Sequence, residues 1–555
     1  MPTDPAADRP ANAAPAATPA PPEAPPNKVN TKAAGIVGMA VMCSRVLGLI
    51  REQVFAWLFG GGKEMDAFIV AFRTPNLLRD LFAEGALSTA FVTTFSKKIQ
   101  KEGEQSAWQL ANKVATLTAV FMSALVCIGI LIAPFLIGVL APGFDQVPGK
   151  SELTVQLARV MYPFILLVSL GALVMGMLNS RNVFGVPAMA SSFFNIGSIV
   201  GGVTLGWLFD PTFGQKALFG LALGTLVGGA LQLGVQLPSL RKIGFHFRPD
   251  FHWRDEGVKT ILRMMGPAII AASSVQVNVM VNTWFASWLA SGSVYGLNIA
   301  FRLMQLPLGI FGVAIGTVTL PLLSRIAATE NRGDFGAVLG RGLRLGFLLT
   351  VPATLGLLLL ARPIISLLYE HGKFNADATN IAATALQGYA IGLCAYSALK
   401  ILTPAFYAID RRRTPMFVSF FSIALNIAAN WFFAFKLGWG VFGLALGTGT
   451  VAVTNFLILY FLMRRETTAL GTKDLAITFL KLVIPSALLA GVCWASTKWV
   501  LADWAGMPLW MQAGLLFATI GVAGGVFFLA ALPMRIEELE DLKALVRRKL
   551  RRKTA

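Results

Sequence analysis

The sequence predicts an all-α polytopic membrane protein: about 14 transmembrane helices in two parallel six-helix lobes around a central cavity, with an extra C-terminal helix pair. Three observations lead there. Of 555 residues, 55% are hydrophobic and only 14% charged, and the mean hydropathy is +0.66; a soluble domain carries roughly a quarter charged residues. Apolar runs of about 20 residues, long enough to cross a bilayer as helices, recur along the chain. The loops between them alternate in charge.

Residues 1–30 are a Pro/Ala-rich tail with Asp4 and Asp8 and no apolar stretch, so they read as disordered and as a poor signal peptide. The N-lobe, 31–240, holds spans near 33–59, 65–95, 110–140, 153–178, 184–209 and 216–240. A polar stretch, RKIGFHFRPDFHWRDEGVK (241–259), mixes aromatic and basic residues and is expected to be an amphipathic connector, a helix on the membrane surface. The C-lobe, 260–465, holds spans near 260–290, 294–324, 338–369, 378–409, 414–437 and 439–463. Residues 466–533 add a final pair near 473–498 and 508–533, and 534–555 form a basic tail ending in RRKLRRK.

Short loops rich in Lys and Arg stay on the cytoplasmic side. Every second loop here is basic, from Lys97/Lys98/Lys101 through Arg181, Arg241/Lys242/Arg248, Arg325/Arg332 and Arg411/Arg412/Arg413 to Arg464/Arg465. The intervening loops are mixed or nearly neutral. Both termini are therefore expected in the cytoplasm, with the basic tail resting on anionic headgroups. The formal net charge of +19 is explained by those loops, so nucleic acid is not an expected partner.

A weak repeat supports the two lobes. AFRTPNLLRDLFAEGALSTAFVTTFSK (71–97) resembles AFRLMQLPLGIFGVAIGTVTLPLLSR (300–325), with Arg73 and Arg302 229 residues apart. Six spans separate the copies, so the lobes should be parallel repeats with cargo bound between them.

Ionisable residues inside spans cost roughly 2.5–3.5 kcal/mol each at mid-depth and usually face a wet cavity. Arg45, Arg51, Arg73, Arg79, Arg302 and Lys400 lie within the predicted spans, with Glu52, Asp66, Asp80 and Glu84. Arg51 is eight residues from Phe59, close enough to snorkel, whereas Arg45 is deeper. Six residues apart, Arg45 and Arg51 diverge by about 120° on an ideal helix, and a bend near Gly48 would bring them together. Asp66, Arg73, Asp80 and Glu84 share one face, either a cavity wall or an internal salt-bridge ladder. Arg79 points away from that face unless Pro75 or Gly85 bends the helix. Arg302 has no acid within one turn, so it is expected to need an anion. Guanidinium forks match phosphate oxygens, and the cargo is expected to be anionic and phosphate-bearing.

Other chemistry is not indicated. Cys43, Cys127, Cys394 and Cys493 are scattered through apolar runs, and His246, His252 and His371 have no second ligand at metal spacing, so no metal or other cofactor is expected. No Walker A loop is present, and the glycines of GIFGVAIG (309–316) read as helix-packing positions. The chain does not read as an enzyme.

The segment SRVLGLIREQVFAWLFGGGKEMDAFIVAFRTPNLLRDLFAEGALSTAF (44–91) resembles the signature region of the MurJ/MviN family, the lipid II flippases of the MOP superfamily. Further similar stretches are NTWFASWLASGSV (282–294), RLMQLPLGIFGVAIGTVTLPLLS (302–324), LLYEHGKF (367–374) and KILTPAFYA (400–408). The resemblance implies a bacterial inner-membrane transporter that moves undecaprenyl-pyrophosphate-linked peptidoglycan precursor outward by alternating access, with the last helix pair as a groove for the lipid tail. It implies substrate-binding roles for Arg45, Arg51, Arg79 and Arg302, and charge-balance or gating roles for Asp66 and Glu84. Glu52 and Lys400 join the second group on their depth and charge. Coupling to a monovalent ion or to the membrane potential, and partnership with membrane lipids and cell-wall synthesis proteins, are further expectations. Glu52 stands where many members carry Asp, Phe301 where some have Asp, and Gln305 where an acid is frequent. These departures put ion coupling through that helix in doubt. A multidrug or O-antigen exporter of the superfamily, or a non-transporting scaffold, is the alternative reading.

Overall fold

The computed structural model describes residues 31–329, 332–467, 469–540 and 543. The 1–30 tail, and the 547–553 basic run with it, lie outside the described residues.

The first lobe comprises α1 (Thr31–Phe59), α2 (Lys63–Arg79) continuing through a π-helical segment (Asp80–Leu87) into α3 (Ser88–Glu102), then α4 (Glu104–Leu140), α5 (Lys150–Met161), α6 (Phe164–Ser180), α7 (Gly185–Phe209), α8 (Ala217–Gly234) and the short α9 (Leu237–Lys242). The second comprises α10 (Glu256–Ser287), α11 (Ser293–Pro307), a π-helical segment (Leu308–Val313), α12 (Ala314–Ala328), α13 (Arg332–Leu359), α14 (Ala361–Tyr369), α15 (Ala376–Ala408), α16 (Arg413–Asn430) and α17 (Gly440–Glu466). The closing pair is α18 (Thr472–Ala495) and α19 (Leu509–Ala531). Among the described residues, 11 helical stretches are long and apolar enough to cross a membrane, or 12 if α10, bent by 42°, counts as one span. That is fewer than the number expected. The predicted spans 33–59 and 65–95 are helical, but they carry the ionisable residues and fall outside that set.

Proline and glycine explain the breaks. The predicted span 153–178 divides at Pro163, and α10 contains Pro267, whose ring removes a backbone donor and kinks the helix. The π-helical segment 308–313 follows Pro307 directly. Within the first lobe, α7 and α8 meet backbone to backbone: a Cβ on Gly224 would lie 2.2 Å from the Gly202 nitrogen. Such small-residue contacts let spanning helices approach closely.

Two expectations need correction. Residues 243–255 form no surface helix. Gly244 at φ +91° and Pro249 break the helical path, and the chain runs along α4 instead, where Arg248 N–H donates to Asn112 Oδ1 (3.0 Å) and Asp250 N–H to Thr116 Oγ1 (3.0 Å). The 534–555 tail does not begin as a loose basic segment either. Ile536 and Leu539 are buried, and Glu538 forms a buried 2.5 Å ion pair with Arg344 of α13. The acidic turn after α19 is thereby packed against the second lobe. The closing pair itself lies against α13, with Leu348, Leu482 and Phe527 in a shared apolar cluster.

The lobes are joined at the end of the bundle bearing loops 60–62, 141–149, 210–216, 288–292 and 370–375, the mixed-charge end, and again where α10 lies against the π-helical segment 80–87, α3 and α4. The loops of the opposite end, the basic end, carry most of the lysines and arginines of the connections.

Candidate functional site

The site grows from α1 and α11, one from each lobe. Glu52 of α1 is buried, and its Oε1 accepts from Arg302 Nε of α11 at 2.7 Å. Arg302 is thus paired across the lobes, against the expectation that it lacks an acid. A partner on another helix is invisible to spacing along one chain. The pairing is incomplete: Glu52 Oε2 has no hydrogen bond, and the Arg302 side chain remains 41% exposed.

Arg51 turns the other way, its guanidinium 5.2 Å from the ring of Phe194 on α7 and 6.0 Å from that of Phe55. Its buried Nε has no hydrogen-bond partner. Arg45 is exposed on its side of α1 and reaches across to the second lobe, where a Cβ on Gly309 would sit 2.7 Å from its Nη1. Gly309 therefore makes room for a guanidinium, while Gly312 and Gly316 of the same run pack on Ser397 and Lys400 of α15. The helix α1 runs without a break past Gly48, and the two arginines diverge as their six-residue spacing requires. Arg302 thus bonds the one carboxylate of the group, Glu52, with Arg51 in electrostatic reach, while Arg45 lies about two helical turns along α1 against Gly309.

Arg79 and the other charges of the second span go elsewhere. Arg79 bonds Asp80 Oδ1 through Nε (3.0 Å) and Nη2 (2.7 Å), and Asp80 Oδ2 accepts from Gln276 of α10 at 3.2 Å. Arg73 donates to Thr283 Oγ1 of α10. Arg73 and Asp80 bond to α10, whereas Arg79 pairs with its own neighbour Asp80 within the segment. The side chain of Glu84 lies outside the described residues. Lys400 is exposed on α15 with no ion pair among the described residues, its backbone against Gly316, about 20 Å of helix from Arg302. The structure does not bring it to the group.

Asp66 has a different setting from the arginines. It is buried, and its carboxylate accepts from Lys150 Nζ (2.8 Å) and from the backbone N–H groups of Gly292 (2.7 Å) and Tyr295 (2.8 Å) at the start of α11. A carboxylate at a helix N-terminus satisfies donors that the helix leaves free. This bond set ties the first lobe to the second at the mixed-charge end. A second tie lies beside it: Lys373 N–H donates to Trp57 O (3.0 Å), and its Nζ donates to Thr212 O (2.7 Å) and Phe213 O (2.9 Å). Lys150 and Lys373 were not singled out from sequence, since both sit in loops that read only as mixed in charge. The LLYEHGKF stretch was the one available signal for Lys373.

A cavity of about 310 Å³ opens among α10, α11, α15, α16 and α17, with Arg73 in its wall. Its polar lining is amide and hydroxyl, with five asparagines. Asn282 Oδ1 accepts from Asn426 (3.0 Å) and Asn430 (2.8 Å), while the Oδ1 atoms of Asn278, Asn298, Asn426 and Asn455 are buried without partners. Among the described residues no group of three or more His, Cys, Asp or Glu could hold a metal ion.

The chain matches the family model described as lipid II flippase MurJ over residues 55–513. It belongs to the MurJ family of lipid II flippases. A lipid II flippase MurJ of Burkholderia cenocepacia is 35% identical over 471 residues, covering 84% of this chain and 89% of its own. A probable lipid II flippase MurJ of Vibrio cholerae is 32% identical over 521 residues, covering 92% and 97%. A solved lipid II flippase MurJ in an inward closed conformation superposes with a TM-score of 0.71 at 26% identity, covering 89% of this chain and 98% of that one. An inward-facing multidrug resistance MATE transporter of the MOP superfamily shares the fold at a TM-score of 0.62 and 15% identity. The multi-pass helical architecture is thus that of the MurJ family.

Proposed function

We propose that this chain moves lipid II from the inner to the outer leaflet of a bacterial inner membrane by alternating access, without covalent chemistry. The observation that carries the reading is the charge balance at the lobe interface, where Arg302 and the neighbouring Arg51 share a single carboxylate, Glu52, and Arg45 stands about two turns of α1 away against Gly309 with no ion pair among the described residues. A diphosphate supplies the missing negative charge and the oxygen acceptors that guanidinium groups match. Arg79, held by Asp80, stands in electrostatic reach of Arg51 and supports the field more than it contacts cargo. Glu52 holds Arg302 while the site is empty and releases it to phosphate.

In this reading the basic end is cytoplasmic, with both termini, and the mixed-charge end faces outward. The state described is closed outward by the Asp66 and Lys373 ties. Opening outward requires both sets of bonds to break. The undecaprenyl chain would follow the closing pair, where a cavity of about 640 Å³ lies between α14 and residues 497–512. A monovalent ion or the membrane potential would reset the cycle, and the amide-lined cavity offers oxygen ligands without a carboxylate. Membrane lipids and cell-wall synthesis proteins complete the expected partners. The cationic interface disfavours export of small cations, the alternative that the shared MATE-type fold would allow.

Growth complementation tests the reading. In cells depleted of their own flippase, this chain should restore growth and prevent lipid-linked precursor from accumulating on the inner leaflet. Arg45→Ala and Arg302→Ala, at normal protein level, should do neither. Normal growth with both variants would refute the site.

A further inference from the structure

A slot of about 530 Å³ lies within the first lobe, between α4, α6, the α8–α9 end and residues 245–247. Its walls are apolar, among them Leu173 and Met177 of α6 and Leu233 and Leu240 beyond them, while Arg241 and His246 stand at its rim. No residue of α10–α19 lines it. It is separate from the lobe interface and from the closing pair.

The connector forms one wall. Phe245 is buried against the ring of Trp108 at 5.4 Å, and the bonds from Arg248 and Asp250 to α4 hold the following residues in place. A chain entering the slot is therefore enclosed by protein more fully than lipid lying against a helix face. Phe247 of the lining and Phe251 further along the connector are exposed, as expected for a segment at the headgroup level. The local charge is net positive, although Asp250, bonded to His252 at 2.7 Å, offsets part of it. Asp255 is paired with Lys113 and Glu256 with Lys259, whereas Arg241, Lys242, Arg248 and Arg254 have no ion-pair partner among the described residues.

An apolar slot with a cationic rim on membrane-spanning helices is complementary to an amphiphile with an acyl chain and an anionic head. We infer that this slot binds an anionic phospholipid, one acyl chain between α4 and α6 and its phosphate between Arg241 and His246. A lipid held there ties the connector, and with it the junction of the two lobes, to the composition of the surrounding leaflet. The inference is independent of the cargo, since no residue of the lobe-interface group takes part.

Native mass spectrometry of the full chain, titrated with phosphatidylglycerol and with phosphatidylcholine of the same acyl chains, tests it. Phosphatidylglycerol should be retained more strongly by about fivefold for each basic residue engaged. Arg241→Glu, on the exposed rim, should abolish that preference, and Ala119→Trp, filling the slot, should reduce retention of both lipids. Equal retention of the two lipids by the unaltered chain, or an unchanged preference in Arg241→Glu, would overturn the proposal. Stronger retention of undecaprenyl phosphate than of phosphatidylglycerol would overturn it too, reassigning the slot to an isoprenoid chain.

Discussion

Lys150 is buried to 2% exposure and Asp66 to 1%, and each is the other's counter-charge. Removing one partner of such a pair leaves an uncompensated buried charge, at a cost of about 3–5 kcal/mol. Asp66→Asn should therefore lower the thermal stability of the purified protein strongly, and Lys150→Met in the same chain should restore part of it. A thermal-shift double-mutant cycle measures the coupling, and additive losses would show that the pair is not a unit. Glu52 presents the contrasting case, since the side chain of its partner Arg302 is partly exposed, at 41%. Glu52→Gln should keep the fold yet leave Arg302 and its neighbour Arg51 without their carboxylate, so we expect tighter retention of pyrophosphate-bearing lipid and slower turnover. Binding of labelled lipid II set against its transport rate checks this. What sequence revealed at this scale was depth: Arg45, Arg51, Glu52 and Arg302 stand out because charge is costly inside a span. Pairing was hidden, because the Glu52–Arg302 contact joins residues 250 positions apart and Lys150 lay in a loop that looked unremarkable by charge.

The elements that hold the lobes together meet through glycines. Gly372 has φ +61°, and a Cβ there would lie 2.4 Å from the Trp57 carbonyl oxygen, so only glycine fits both the backbone and the space. Gly372→Val should part α1 from the 370–375 loop and shift the population toward the state open at the mixed-charge end. Spin-label distances between loops 60–62 and 370–375 should lengthen, and an unchanged distribution would contradict the role of this contact. Lys373→Ala should act in the same direction but more weakly, since it removes two side-chain bonds and leaves the Lys373 N–H bond to Trp57 intact. Sequence located most helices because apolar length is a strong signal. It misplaced the connector, where Phe, His, Arg and Trp suggested an amphipathic helix. Side-chain acceptors on α4 took the backbone donors instead, and Gly244 and Pro249 already opposed a helix.

Across the whole molecule, the two lobes, the closing pair and the family were legible from apolar spacing, loop charge and the 44–91 segment. The closed state was not, because it depends on contacts between lobes that no local pattern encodes. The account rests on one division of labour: ties at the mixed-charge end hold one side shut, while an excess of guanidinium groups at mid-depth receives a diphosphate from the other. A leaflet-resolved assay of fluorescent lipid II in proteoliposomes, with and without an imposed potential, tests this most directly. The unaltered chain should move lipid II between leaflets well above the protein-free rate, and Arg45→Ala and Arg302→Ala, folded to the same extent, should reduce transport to that background. Transport by both variants at the unaltered rate, or no lipid II movement by the unaltered chain under either condition, would contradict it.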